Sequence, residues 1–203
     1  MARMSRWIIA ILIFGFGITA CQEILPTELD QTQLPTDVGL ESLEELPPEI
    51  FSVQGQQIRQ WAIEAVANSE YSGDEWSAIQ AIGAPDTRRC GDYQTAWAAA
   101  GSDSQAWIDV KFSLPVHVTA VNIIQSFNPD QVVKIELVGP FDRSVEIFTQ
   151  QPQQIDQACP YTLPVSVEKT EARYDRVRIT LDQSVLGLGW NQIDAVELVG
   201  TLE

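Results

Sequence analysis

Side chains that could perform catalysis are scarce in this chain of 203 residues, which has one histidine, His117, and three cysteines, Cys21, Cys90 and Cys159, against 28 aspartates and glutamates. A serine or cysteine nucleophile needs a base within hydrogen-bonding reach, and His117 would have to supply it. It stands among Val116, Val118 and Ala120 in a strand-like run, which suits a solvated sheet histidine better than a catalytic base. A phosphate loop needs glycines that open a helix, whereas Gly187-Leu188-Gly189 runs into Trp190 and a strand-like segment. Carboxylates are plentiful enough for a glycosidase pair, but no two are singled out by position. No catalytic residue is assigned, and the chain reads as something other than an enzyme.

Cys21 belongs to a different chemistry. It closes Ile18-Thr19-Ala20-Cys21 at the end of an apolar run from Trp7, with Arg3 and Arg6 ahead of it. That run, about a dozen residues, has the length of a signal-peptide core and falls short of the roughly 20 needed to cross a bilayer. Aliphatic, small, small, cysteine resembles a bacterial lipoprotein signal peptide, whose cysteine is lipidated on its thiol before the preceding peptide is removed. The resemblance implies a signal peptide over residues 1–20, lipid of the palmitate type on Cys21, attachment to a membrane through that lipid, and an extracytoplasmic place in the cell envelope. Cys90 and Cys159 then remain as one pair in an exported chain, which favours a disulfide over two buried thiols. Closing a loop of about 70 residues would contribute roughly 4 kcal/mol in the chain-entropy model. Two cysteines and His117 do not furnish a four-ligand zinc site.

The elements that must position any site follow from composition. A formal net charge of -16 repels phosphate backbones and anionic headgroups, which argues against nucleic acid as a partner and suits divalent cations or neutral ligands. Over residues 21–56 prolines 26, 35, 47 and 48 are spread among acidic residues, and from Gln22 to Ile50 there is no lysine or arginine. Charge repulsion and proline stiffness make this an extended, disordered linker, with a turn or two of helix at Glu41 to Leu46. Residues 57–203 leave enough chain for one domain.

That domain reads as all-β. In Trp107 to Phe112, Ile108, Val110 and Phe112 alternate with polar neighbours, and strand-like runs follow at Val116 to Ile124, Val132 to Val138, Val145 to Phe148, Leu163 to Val167, Arg176 to Leu181 and Ile193 to Val199. Turn residues at Ser113-Leu114-Pro115, Asn128-Pro129-Asp130, Gly139-Pro140 and Gly187-Leu188-Gly189 separate them. Short strands at this spacing predict an antiparallel sandwich, with a helix only early, in Ile58 to Asn68 or Glu75 to Ala81. Trp97 and Trp107 are expected in the core.

A family resemblance rests on Ala67-Asn68-Ser69-Glu70-Tyr71-Ser72, Trp76-Ser77-Ala78, Gln80 to Asp86, Cys90-Gly91-Asp92, Ala96-Trp97-Ala98, Ala106 to Val110, and the closing Asn191 to Gly200. These stretches resemble a discoidin-type, galactose-binding-like jelly roll. The Cys-Gly-Asp and Ala-Trp-Ala pair, the Phe127-Asn128-Pro129 corner and the terminal Ile193-Asp194-Ala195-Val196-Glu197-Leu198-Val199-Gly200 are most similar to the pappalysin-type (SD scarf) module. The resemblance implies a structural Ca²⁺ held at Asp86 and Glu197, with Asp92 as a further ligand. Ile82-Gly83-Ala84-Pro85, however, stands where many members carry an Asp-Gly turn, and Arg176 or Arg178 would serve Glu197 as well as a metal. It also places ligands on loops at one end of the sandwich, where an aromatic ring packs on a sugar face and amides bind hydroxyls. Phe127, Asn128, Trp190 and Asn191 provide that chemistry, with Arg88, Arg89 and Tyr93 as additions, while Trp190 and Phe127 also suit plugs at the end of the barrel.

The reading is therefore a lipid-anchored, non-enzymatic envelope module that captures carbohydrate or a glycosylated surface. The alternative is an envelope lipoprotein that docks on a surface protein without a small ligand.

Overall fold

Alternation of side chains decides the first strands. In Gln57–Trp61 (β2), Ile58 and Gln60 are buried while Arg59 and Trp61 are half-exposed, a period of two that only a strand produces. The computed structural model describes residues 50–54, 57–129, 131–155 and 159–203. Preceding β2 is Ile50–Gln54 (β1), and following are Glu64–Ala67 (β3), Gln105–Phe127 (β4), Val132–Val138 (β5), Ser144–Thr149 (β6), Tyr161–Ser166 (β7), Arg173–Asp182 (β8) and Gln192–Thr201 (β9).

Every pairing is antiparallel, and β4 organises them. Its first half, Gln105 to Lys111, lies between β3 and β8, and β8 continues to β5 and β6. Its second half, from Val116, lies between β9 and β7, and β9 continues to β2 and β1. One strand thus passes through both layers of a jelly-roll sandwich. The core is the space between them, filled by Ile108, Val110, Phe112, Val121, Ile123, Ile135, Leu137, Val177, Ile179, Leu181, Val196 and Leu198. Burying each such side chain contributes about 1.5–3 kcal/mol.

The all-β jelly roll expected from the sequence is what forms, with four local departures. Ser113-Leu114-Pro115 is not a turn but a kink inside β4, where the register shifts between Lys111 and Val116. The fully buried Gln60 side chain takes over the lost ladder there: its Nε2 donates to Leu114 O at 2.8 Å and its Oε1 accepts from Leu114 N at 3.0 Å. Ile58 to Asn68 holds two strands rather than a helix, because pairing of β2 with β9 and of β3 with β4 outweighs local helix propensity. Of the alternative helix, only a 3-10 turn at Ala78–Ala81 exists. The sheet also starts at Ile50, inside the stretch read as linker. The helix expected at Glu41 to Leu46, the signal peptide and Cys21 lie outside the described residues.

Trp97 is fully buried, as expected. Trp107 is instead half-exposed on the outer face of β4, with the Arg178 guanidinium 4.5 Å from its ring centroid. Arg178 forks onto buried Asp109, Nε and Nη2 each at 2.7 Å from its oxygens, and Arg176 Nη2 adds a third contact at 3.0 Å. Those two arginines are therefore spent on Asp109 and not on Glu197. His117 Nδ1 donates to Thr170 O at 2.8 Å, which fixes the ring as a structural brace.

Candidate functional site

At one end of the sandwich the register brings together both ends of β4, the end of β8, and the starts of β5 and β9: Gln105 faces Asp182, Val132 faces Leu181 and Phe127 faces Gln192. Over this end passes the long connection from β3 to β4. Tyr71, Trp76, Asp92 and Ala98 of that connection, with Trp190 and Gln192, line a pocket of about 110 Å³.

The pocket is walled by three aromatic rings. Tyr71 stands edge-on to Trp76, centroids 5.3 Å apart, and to Trp190, centroids 5.6 Å apart. Backbone bonds from Tyr71 N to Ala98 O, 2.9 Å, and from Ala98 N to Trp76 O, 3.0 Å, hold the connection against itself. Trp76 adopts φ 55, a left-handed conformation that a bulky residue keeps only where its surroundings over-determine it. Both indole N–H groups are tied down: Trp76 Nε1 donates to Asp92 Oδ1 at 2.8 Å and Trp190 Nε1 to Ala99 O at 2.9 Å. Gln192, 1% exposed, clamps the carboxylate's loop, since its Nε2 donates to Asp92 Oδ1 and its Oε1 accepts from Tyr93 N at 3.0 Å. Rings and carboxylate are thus fixed before any ligand arrives.

Of the four ligand residues expected from the sequence, Trp190 lines this pocket and Phe127, Asn128 and Asn191 do not. Asn128 and Asn191 stand behind it as braces. Asn128 Nδ2 donates to Leu188 O at 2.7 Å and Trp190 O at 3.0 Å, which pins the Gly187–Trp190 loop. Asn191 is fully buried and its Nδ2 donates to Gln125 Oε1 and Asn128 O, each at 2.7 Å. Phe127 is the half-buried last residue of β4. Sequence reasoning missed Tyr71, Trp76 and Gln192 and took Asp92 only as a metal ligand. The available signal was two aromatics within Tyr71-Ser72-Gly73-Asp74-Glu75-Trp76, a stretch too polar for a core.

Arg88, Arg89 and Tyr93 line a neighbouring pocket of about 300 Å³ together with Asp86, Thr87 and Thr95. Calcium requires carboxylate, hydroxyl and carbonyl oxygens, so the implied residues can be tested against it. Glu197 does not fit: Arg59 Nη2 lies 2.6 and 2.8 Å from its two oxygens and Asn122 Nδ2 donates at 2.6 Å, so its charge is already matched. Asp86 fits better, but beside Asp194. That carboxylate is 1% exposed and accepts Thr87 N at 3.2 and 3.3 Å; burial, together with like-charged Asp86, pushes its pKa up against the opposing hydrogen bonds. The Thr87 and Thr95 hydroxyls are 2.7 Å apart next to it. Two carboxylates and two hydroxyls are a donor set a hard cation accepts, although among the described residues no three acidic, histidine or cysteine side chains gather.

Cys90 and Cys159 form the expected disulfide, Cα atoms 4.8 Å apart, two residues before Asp92. Gly91 between them has φ 147, and its N–H donates to Ser126 O at 3.0 Å.

A family model described as Pappalysin-1, SD scarf domain, C-terminal matches residues 52–203. Among solved structures the chain is similar to truncated AlyQ with CBM32 and alginate lyase domains, at 16% identity and TM-score 0.51, covering 72% of this chain and 34% of that one, about a third of its length. It is also similar to a form of chitosan-binding module 1 from a chitosanase/glucanase of Paenibacillus sp. IK-5, at 16% identity and TM-score 0.51, over 68% of this chain and 93% of that one. A third is CpGH89CBM32-5 from Clostridium perfringens in complex with GalNAc-β-1,3-galactose, at 12% identity and TM-score 0.51, over 68% and 94%. At these identities the likeness establishes the galactose-binding-like jelly roll. No curated protein matches the chain.

Proposed function

The chain belongs to the pappalysin-1 SD scarf family, and from that premise we propose that it is a lipid-anchored, non-enzymatic binding module of the bacterial cell envelope that holds a carbohydrate in the Tyr71–Trp76–Trp190 pocket. The observation that carries this reading is the set of immobilised rings beside a carboxylate. Aromatic faces pack on the apolar face of a sugar, and rings that are already ordered lose little freedom on binding. A pocket of about 110 Å³ is smaller than the roughly 300–1,000 Å³ that encloses a drug-sized ligand, which suits one sugar unit at the end of a glycan. His117 is bound to backbone, and no catalytic residue enters the proposal. A calcium ion at Asp86 and Asp194 does enter it, as a counter-charge that steadies the loop preceding Asp92.

A glycan array probed with the full-length protein in detergent tests the reading. Saturable retention is expected in the wild type and a loss of at least tenfold in Tyr71→Ala, a residue that is 53% exposed and whose truncation should leave the melting temperature within about 2 °C. Chelator in place of calcium should lower the melting temperature, since an ion bound only to the folded state stabilises it. No retention by a folded sample overturns the carbohydrate reading. Anchoring is tested separately: Cys21→Ser should abolish lipid labelling, and unchanged labelling sinks the anchor.

Docking on a surface protein is the second reading, and one observation favours it. Phe141 is 94% exposed with φ 59 and, with Pro140, Val145 and Tyr174, borders a groove of about 500 Å³.

A further inference from the structure

The binding pocket has an uneven chemistry. Its side-chain N–H donors are already engaged: Trp76 Nε1 on Asp92, Trp190 Nε1 on Ala99 O, and the buried Gln192 amide on Asp92. What the pocket still presents are its three aromatic rings and the charge of Asp92. Both hydrogen bonds to that carboxylate land on Oδ1, and among the described residues none lands on Oδ2. None of the six lining residues is a lysine, arginine or histidine, so Asp92 has no counter-charge from within the pocket. The chain as a whole carries a formal net charge of -16, which disfavours anionic ligands in general.

The geometry points to a positively charged ligand at this site: a sugar unit that carries a free, protonated amine. This rests on the carbohydrate reading above and deepens it. An ammonium group within about 6 Å of several aromatic rings is attracted by their negative faces, and a carboxylate oxygen with an open lone pair accepts its N–H in a charge-assisted bond. An N-acetylated unit offers no charge, and an acidic sugar would meet Asp92 as a like charge. A neutral hydroxyl can donate to the same carboxylate oxygen, but without the charge attraction that an ammonium adds. A single amine-bearing ring also matches the small volume of the pocket.

Isothermal titration of the full-length protein in detergent, below neutral pH, with a glucosamine oligomer, its N-acetylated counterpart, an oligouronate and choline decides the matter. The glucosamine oligomer should bind at least tenfold more tightly than the N-acetylated one, the oligouronate should not bind, and the preference should fall as salt rises. Asp92→Asn keeps an acceptor for Trp76 and should bring the affinity for the glucosamine oligomer down to that for the N-acetylated one. The salt dependence of the wild type gives the same answer if that variant is misfolded. Equal or reversed affinity for the two oligomers overturns the amine preference and leaves the carbohydrate reading standing. Binding of choline with no sugar bound overturns both, as does a folded sample that binds none of the four.

Discussion

At the scale of single residues, the pocket separates rings that hold the fold from rings held by it. Tyr71 is more than half exposed, whereas Trp190 is half-buried and its indole N–H reaches Ala99 O across the end of the sandwich. Trp190→Ala should therefore abolish sugar retention and also cost about 2 kcal/mol, roughly half the loss for a fully buried tryptophan. Chemical denaturation alongside the array checks both, and retained binding in this variant would remove Trp190 from the site. Trp190 was legible in the sequence because it sits beside glycines in a turn-rich loop. Asn128 and Asn191 were legible as important but not as braces: a polar side chain in a loop has the same appearance whether it faces a ligand or the carbonyls of its own chain. Asp92 and Gln192 are 100 positions apart, and their pairing exists only once β9 lies beside the connection that carries the carboxylate.

At the scale of elements, the close passage of β4 over β9 decides what the fold tolerates. A Cβ added at Gly200 would lie 2.5 Å from His117 O and 2.6 Å from Val116 Cγ2, contacts that backbone cannot relieve without moving the kinked strand. Gly200→Ala should cost about 2–3 kcal/mol with the pocket's affinity unchanged in the folded fraction. A melting temperature equal to that of the wild type would show that the two strands can part. Period-two alternation made β8 readable, since its buried positions Val177, Ile179 and Leu181 are aliphatic, whereas β9 is buried on both faces and was readable only as an apolar run. The alternation was masked in β2, where a glutamine occupies a core-facing position, and at Pro115, where a turn-forming residue sits inside a strand. In both places a long-range contact, Gln60 to Leu114, replaces what local sequence lacks.

At the scale of the whole molecule, stability and binding meet in the disulfide. Cys90 and Cys159 are 69 positions apart, so their bond removes much of the freedom of the unfolded chain, a contribution of about 4 kcal/mol in the chain-entropy model. Replacing both by serine should lower stability by about 3–4 kcal/mol, and a change under 1 kcal/mol by urea unfolding would refute that estimate. The pairing was readable from cysteine number together with the resemblance of residues 1–20 to a signal peptide. Its neighbourhood was not, because the sequence does not say that Asp92, two residues on, faces the rings. That neighbourhood bears on how the protein should be manufactured. Material made in a reducing host cytosol would lose that stability, and where the sandwich survives the loss, the segment with the charged group would still be fastened at one point fewer. Such a batch would pass a test of secondary structure and underperform in every capture assay, so a thiol count belongs before any negative result is accepted.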